Sequence, residues 1–127
     1  MRERVDRTEC TQEELHAMQR AIINMFKKWK INNSQAVILL GGISVSTFQR
    51  WKQGRYGRIG PDLAARMSNL LGIHKALRLL FSDPTRGYGW IKLQSRIFEA
   101  SALEVMLRGQ LTDLMRVRRY LDSQRRL

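Results

Sequence analysis

The chain has 127 residues, 43% of them hydrophobic and only two of them proline. That suffices for one ordinary domain or two very small ones sharing a core, and excludes wholesale disorder. Its 23 Lys and Arg face 11 Asp and Glu, a formal net charge of +12, so a neutral, partnerless surface is a poor description of it. On charge alone DNA, RNA, an anionic membrane and an acidic protein all qualify as counterparts, as does a purely solubilising role.

Residues 1–10 (MRERVDRTEC) are polar and lack the apolar stretch of a secretory signal; a disordered tail is expected there. The single cysteine, Cys10, cannot form an internal disulfide. No run approaches the roughly 20 apolar residues of a membrane span. These features together lead to the expectation of a cytoplasmic protein with no membrane partner.

Thr11 and Glu14 have the spacing of a capping box, in which hydroxyl and carboxylate each satisfy a free backbone N–H at a helix start. Leu15, Met18, Ile22, Met25, Phe26 and Trp29 follow at helical spacing, with Arg20, Lys27, Lys28 and Lys30 on the opposite face. The expected helix runs from Thr11 to Lys30. A second is expected to be capped by Ser34 and to end at Leu40, where Gly41-Gly42 supply a sharp turn. Ser44 caps a third that ends before Gly54, with Val45, Phe48 and Trp51 as its apolar positions.

Residues 54–60 (GRYGRIG) read as a loop and lack the Gly-Lys-Ser/Thr ending of a phosphate-cradling P-loop. Pro61 suits the first turn of a fourth helix carrying Leu63, Ala64, Met67, Leu70 and Leu71. Gly72 is expected to interrupt it, leaving Ile73 to Phe81 as a fifth. Ser82-Asp83-Pro84 is a stop signal. Residues 82–92 mark the boundary between functional halves, though Tyr88, Trp90 and Ile91 are too apolar for a flexible linker. Ser101 and Glu104 repeat the capping box before a helix from Ala102 to Gly109. A last helix from Thr112 to Ser123 carries Leu114, Val117 and Leu121 on one stripe. The expected fold is all-α: an N-terminal helix-turn-helix bundle and a small helical C-terminal domain.

The histidines, His16 and His74, have no companions at metal-ligand spacing, and His74 reads as a surface or capping residue. No nucleophile–base constellation is visible. The sequence therefore gives no catalytic residue, metal, cofactor or small-molecule substrate, and the chain is not expected to be an enzyme.

Residues 34–53 (SQAVILLGGISVSTFQRWKQ) carry the functional signal. Ala36, Leu39 and Leu40 form an inner face, Gly41-Gly42 the turn, and Ile43 plugs the angle between helices. Phe48 and Trp51 pack the second helix against the body. Its outward residues, Ser46, Thr47, Gln49, Arg50 and Lys52, have the chemistry that reads DNA: Gln bonds adenine, Arg bonds guanine, and the others reach bases or phosphates. Ser46, Thr47 and Arg50 lie toward the groove-entering end. Ser44 starts the helix, Gln35 is placed to bond a phosphate with side chain and backbone, and Arg55 and Arg58 are placed to clamp the backbone. The alternative is an ordinary helical hairpin with a solvated polar face.

Gln35, Gly41 or Gly42, Ser44, Thr47 and Trp51 fit the pattern of the Xre, or phage-repressor-like, helix-turn-helix, which this segment resembles. Trp90, Phe98, Ser101, Leu103, Gly109, Leu114, Val117, Tyr120 and Leu121 are similar to the C-terminal domain of the Xre/MbcA/ParS antitoxins, whose last helix ends Val-Arg-x-Tyr-Leu; here it reads Val117-Arg118-Arg119-Tyr120-Leu121. Two departures stand out. Ala102 replaces a usual proline, and the loop holding Lys92, Gln94, Ser95 and Arg96 lacks the usual Asn-Pro character.

The resemblance implies an antitoxin of a type II toxin-antitoxin system. Such a protein is a homodimer that occludes the active site of a RES-type, NAD-degrading toxin and represses its own operon by binding operator double-stranded DNA. Residues 11–81 are then the Xre-like domain and 82–127 the toxin-binding and dimerisation domain. Trp90, Phe98, Leu103, Leu114, Val117 and Leu121 are expected as its core or dimer face. Arg116, Arg119, Tyr120, Arg125, Arg126 and Leu127 are the exposed candidates for toxin contact, the terminal arginines being apt for a pocket that accommodates phosphates. The alternative functions are a stand-alone dimeric transcriptional repressor without a toxin partner, and an interaction module that no longer reads DNA.

Overall fold

The computed structural model describes residues 11–125. The tail expected at 1–10 and the contacts expected of Arg126 and Leu127 lie outside the described residues. Seven helices and one strand pair follow in chain order: α1 (Gln12–Trp29), α2 (Asn33–Leu39), α3 (Val45–Lys52), α4 (Pro61–Leu80), α5 (Pro84–Trp90), β1 (Gln94–Ser95), β2 (Ala100–Ser101), α6 (Ala102–Met106) and α7 (Leu111–Arg125). The architecture is helical, with a helix-turn-helix N-terminal region followed by a helical C-terminal region.

Both capping boxes form as their sequences dictate. Thr11 Oγ1 accepts from the Glu14 N–H at 3.1 Å while the Thr11 N–H donates to Glu14 Oε1 at 2.8 Å. Ser101 and Glu104 repeat the exchange at the start of α6. The Ser101 N–H bond to the carboxylate, and then the Ser101 hydroxyl beside it, hold the Glu104 carboxyl below its ordinary range. A third box corrects the sequence reading: α2 is capped by Asn32, paired with Gln35, and not by Ser34.

A single buried apolar cluster runs from Leu15 in α1 to Leu121 in α7. Its spine is α4, which packs against α1, α5 and α7. Gly72 does not interrupt that helix. It continues unbroken through 20 residues, because one interior glycine costs only about 1 kcal/mol relative to alanine. The missing side chain has a use: a Cβ at position 72 would collide with Arg118 Cζ of α7. Glycine leaves the room in which that guanidinium lies across α4.

Residues 82–92 are not a flexible linker: α4 ends at Leu80 and α5 opens at Pro84. Asp83 caps α5, Pro84 opens it, and Ile91 beyond its end is fully buried. The loop after it holds a small antiparallel pair, Gln94 opposite Ser101 and Ser95 opposite Ala100, which helical periodicity gave no means of seeing. Val45, expected to pack, is 42% exposed; as the first residue of α3 it precedes the turn that faces the core. Among the described residues no helix is long and apolar enough to cross a membrane.

Candidate nucleic-acid interface

The turn between α2 and α3 is built on two left-handed residues. Gly41 and Gly42 have φ of +88° and +89°. Their N–H groups donate to the carbonyls of Ile38 (3.0 Å) and Val37 (2.8 Å), the paired bonds that close a helix with a left-handed residue after its cap. Gly41 is required twice over, since a Cβ there would also lie 2.8 Å from Arg66 Nε. Leu39, Leu40, Phe48 and Trp51 are buried beneath the turn, and Ile43 is packed on the core beside them.

Arg66, which sequence reasoning missed, is the buried cation of this region. Its side chain packs on Gly41, pairs with Asp62 at 2.8 Å and donates from Nη1 to the Gly109 carbonyl at 2.9 Å. A single arginine thus joins the helix-turn-helix corner, the first turn of α4 and the loop before α7. Gln19 does similar work further along, donating from Nε2 to the Tyr56 carbonyl at 3.0 Å and fixing the 54–60 loop to α1. Both are polar residues inside apolar stripes, a signal visible in sequence only as an exception to the pattern.

The candidate DNA-reading residues divide by what they already hold. Ser44 Oγ accepts from the Thr47 N–H at 3.0 Å and donates to Thr47 Oγ1 at 2.9 Å; it starts the helix and has little left for a ligand. Thr47, half-buried, accepts from Arg50 Nη2 at 3.2 Å, which steadies that guanidinium one turn back along α3. Ser46, Gln49 and Arg50 are exposed. Lys52 leans over the Phe48 ring at 4.9 Å and donates to Asn33 Oδ1 at 2.8 Å, tying the end of α3 to the start of α2. Arg55 bonds Gln53, and Arg58 is exposed on the same loop. Gln35 is only partly available: its Oε1 and its backbone N–H are both spent on the Asn32 cap. Of the side-chain and backbone donors expected there for a phosphate, the backbone N–H is bonded within the cap and Nε2 is the donor without a partner among the described residues.

The C-terminal candidates form an aromatic cluster. Tyr120 stacks on Trp90 (6.2 Å between centroids, 9° between planes) and meets Phe98 edge-on at 5.5 Å. The Arg116 guanidinium lies over the Phe98 ring at 5.0 Å. Phe98, Leu103, Leu114, Val117 and Leu121 are buried, whereas Trp90 is only partly so. It lines a groove of ≈ 220 Å³ with Leu80, Phe81, Tyr120, Leu121 and Gln124. Arg119 and Arg125 are exposed, the latter 3.3 Å from Asp122.

His74 is not a surface residue. It sits half-buried within α4, accepts from Trp29 Nε1 at 3.3 Å on Nδ1, and stacks on Tyr88 at 5.5 Å. Burial, then the nearby charges of Lys28 and Arg78, push its pKa below the ordinary value.

Residues 11–72 match the antitoxin Xre-like helix-turn-helix domain, a match that points to a DNA-binding antitoxin or repressor. Over 106 residues the chain is 40% identical to the uncharacterized protein y4oB of Sinorhizobium fredii (strain NBRC 101917 / NGR234), a span covering 83% of this chain and 81% of that protein. The chain thus belongs to one family with y4oB and carries the antitoxin Xre-like helix-turn-helix domain in its N-terminal half.

Proposed function

We propose that the protein is a type II antitoxin that occludes a RES-type, NAD-degrading toxin through its C-terminal half and represses its own operon, as a homodimer, through α3. On this reading residues 11–81 are the DNA-binding domain and 82–127 the toxin-binding and dimerisation domain, the two sharing α4 as a spine.

One observation carries it. The chain pairs an exposed reading edge, Ser46, Gln49 and Arg50, with a separate surface suited to protein contact. There Trp90 and Tyr120 wall a groove, and Leu93, 62% exposed, lines an adjoining cavity with Trp90 and Phe81. Exposed apolar side chains beside partly covered aromatics are the usual makings of an interface anchor. Neutralisation on this reading is steric, so no residue needs catalytic chemistry. Arg116, Arg119, Tyr120 and Arg125, with Arg126 and Leu127 beyond them, are its proposed toxin contacts.

Co-expression with the product of the adjoining gene tests the proposal. The expected result is a neighbour that arrests growth alone, is rescued by this chain and co-purifies with it; truncation after Asp122 then removes rescue and leaves DNA binding intact. A harmless neighbour that does not co-purify overturns the antitoxin reading and leaves a stand-alone dimeric repressor.

A further inference from the structure

A cleft of ≈ 440 Å³ opens between the end of α1 and α5, lined by Lys28, Lys30 and Lys92 over a floor that includes Trp29 and Tyr88, with Thr85 at its rim. No carboxylate lines it, and none of the three lysines makes an ion pair among the described residues. Part of this has a local explanation. Lys28 sits in the last turn of α1, where a cation complements the helix dipole. Lys92 donates to the Lys30 carbonyl at 3.0 Å, satisfying a backbone acceptor just past that helix.

Neither reason accounts for Lys30. It holds φ of 56°, a left-handed conformation that costs a residue with a Cβ about 1–2 kcal/mol and that glycine adopts without penalty. Three lysines line the cleft with no carboxylate among them, so an anion entering it meets positive charge alone.

The position of the cleft identifies the anion. Lys30 is two residues before Asn32, the cap of α2, so its backbone lies within about 7 Å of that helix start. Lys52, at the end of α3, donates to Asn33 at the same place. Duplex DNA carries one phosphate per roughly 3.4 Å of rise along each strand, a spacing that lets neighbouring phosphates meet these groups in turn. Resting on the DNA-binding reading of α3, we propose that the Lys28–Lys30–Lys92 cleft is a backbone-phosphate site that extends the helix-turn-helix interface onto the C-terminal half. The site contributes affinity without sequence preference, and through Lys92 it makes the C-terminal half part of the DNA contact.

The test uses the full chain and a duplex selected by it from a random-sequence pool, with a scrambled duplex beside it. Binding is followed by fluorescence anisotropy across a salt series. K92Q is expected to lower the slope of log affinity against log salt by about 1, and K28Q/K92Q by about 2, on both duplexes alike. K92R is expected to retain the wild-type slope, and thermal melts establish that each variant folds. Unchanged slopes in folded variants overturn the proposal, as does a loss of discrimination between the two duplexes. Titration with AMP and inorganic phosphate, followed by Trp and Tyr resonances, separates the other source of the same chemistry: saturation by AMP with unchanged DNA slopes means a small-molecule phosphate site and overturns the DNA assignment. If R50A loses discrimination while the lysine variants behave as wild type, the cleft proposal fails alone. If the wild type selects no duplex, the DNA-binding reading fails and the cleft proposal with it.

Discussion

Arg66 and Gly109 stand 43 residues apart in sequence and meet through one bond, the Arg66 Nη1 donor on the Gly109 carbonyl at 2.9 Å. Arg66 is 8% exposed and Gly109 half-buried, so loss of the donor leaves that carbonyl only partly open to water. Its pairing with Asp62 adds little, since that carboxylate is 67% exposed. Arg66→Ala is therefore expected to destabilise the fold by about 1–3 kcal/mol, chiefly through the abandoned carbonyl, and to lower the midpoint of urea unfolding.

The same arginine sets what Gly41 tolerates. Gly41→Ala suffers twice, from φ of +88° and from contact with Arg66 Nε. The conformational part, about 1–2 kcal/mol, remains whatever surrounds it; the contact disappears once Arg66 is shortened. A double-mutant cycle of Gly41→Ala and Arg66→Ala is expected to be non-additive, the glycine substitution costing less in the Arg66→Ala background. Additive costs would show that Arg66 does not press on the turn.

Gly72 offers a cleaner reversal of sign. An alanine in a helix interior is normally worth about 0.5–1 kcal/mol over glycine. Here the new methyl must displace the Arg118 guanidinium, which lies along α4 with its Nη1 3.4 Å from the Ser68 carbonyl and its Nε 3.7 Å from Asp122. Gly72→Ala alone is expected to be nearly neutral. In an Arg118→Ala background it is expected to stabilise by the full helical increment, as read from thermal melts. Stabilisation of equal size in both backgrounds would mean that Arg118 merely rests there.

Gly72 also marks where sequence reading ended. Periodicity and capping signals located α1, α3, the opening of α4 and the stripe of α7, because each is a local preference reinforced by burial of one face. What Gly72 does depends on a guanidinium 46 positions later, which a local rule does not see. The same holds for Arg66 and Gln19, polar residues whose partners are backbone carbonyls far along the chain, and for the Gln94–Ser101 strand pair, too short to show alternation. The exposure of Ser46, Gln49 and Arg50 on one short helix is legible from its apolar partners Phe48 and Trp51. Which candidates are committed to caps is legible only in part: the Ser44 cap is, but the cap of α2 is Asn32 and not Ser34, which is what occupies Gln35.

That partition makes a prediction for α3. Ser44→Ala is expected to cost about 1 kcal/mol of stability, the usual worth of a cap, with a correspondingly small direct effect on DNA. Arg50→Ala is expected to leave the melting temperature near wild type, to lose about 1–3 kcal/mol of affinity for a selected duplex and to relax preference at one base position. Measuring both variants by thermal melt and anisotropy separates the roles. Loss of discrimination by Ser44→Ala at unchanged stability would reverse the assignment.

His74 gives the fold a pH dependence whose sign follows from its surroundings. Burial comes first, then Lys28 of α1 and Arg78 of α4; together they place the folded pKa below the ordinary 6.5. Tyr88 of α5 stacks on the ring, and Nδ1 accepts from Trp29 Nε1, a bond that a proton on that nitrogen would abolish. Below the unfolded pKa the unfolded chain binds more protons at this site than the folded one, so stability falls with pH there. The contribution is fully present above about pH 6.5, declines as pH drops toward the folded pKa and levels off beneath it. Glu104 titrates in a separate window, its depressed carboxyl losing its stabilising effect only below its ordinary 4.5. Wild-type protein is thus expected to melt at a steady temperature from pH 8 to 7 and at falling temperatures below 6.5. His74→Gln, which keeps an acceptor for Trp29 but does not titrate, is expected to flatten the profile between pH 6.5 and 5. A wild-type profile already flat over that interval, or a His74→Gln profile that still declines, would show that this imidazole is not the group responsible.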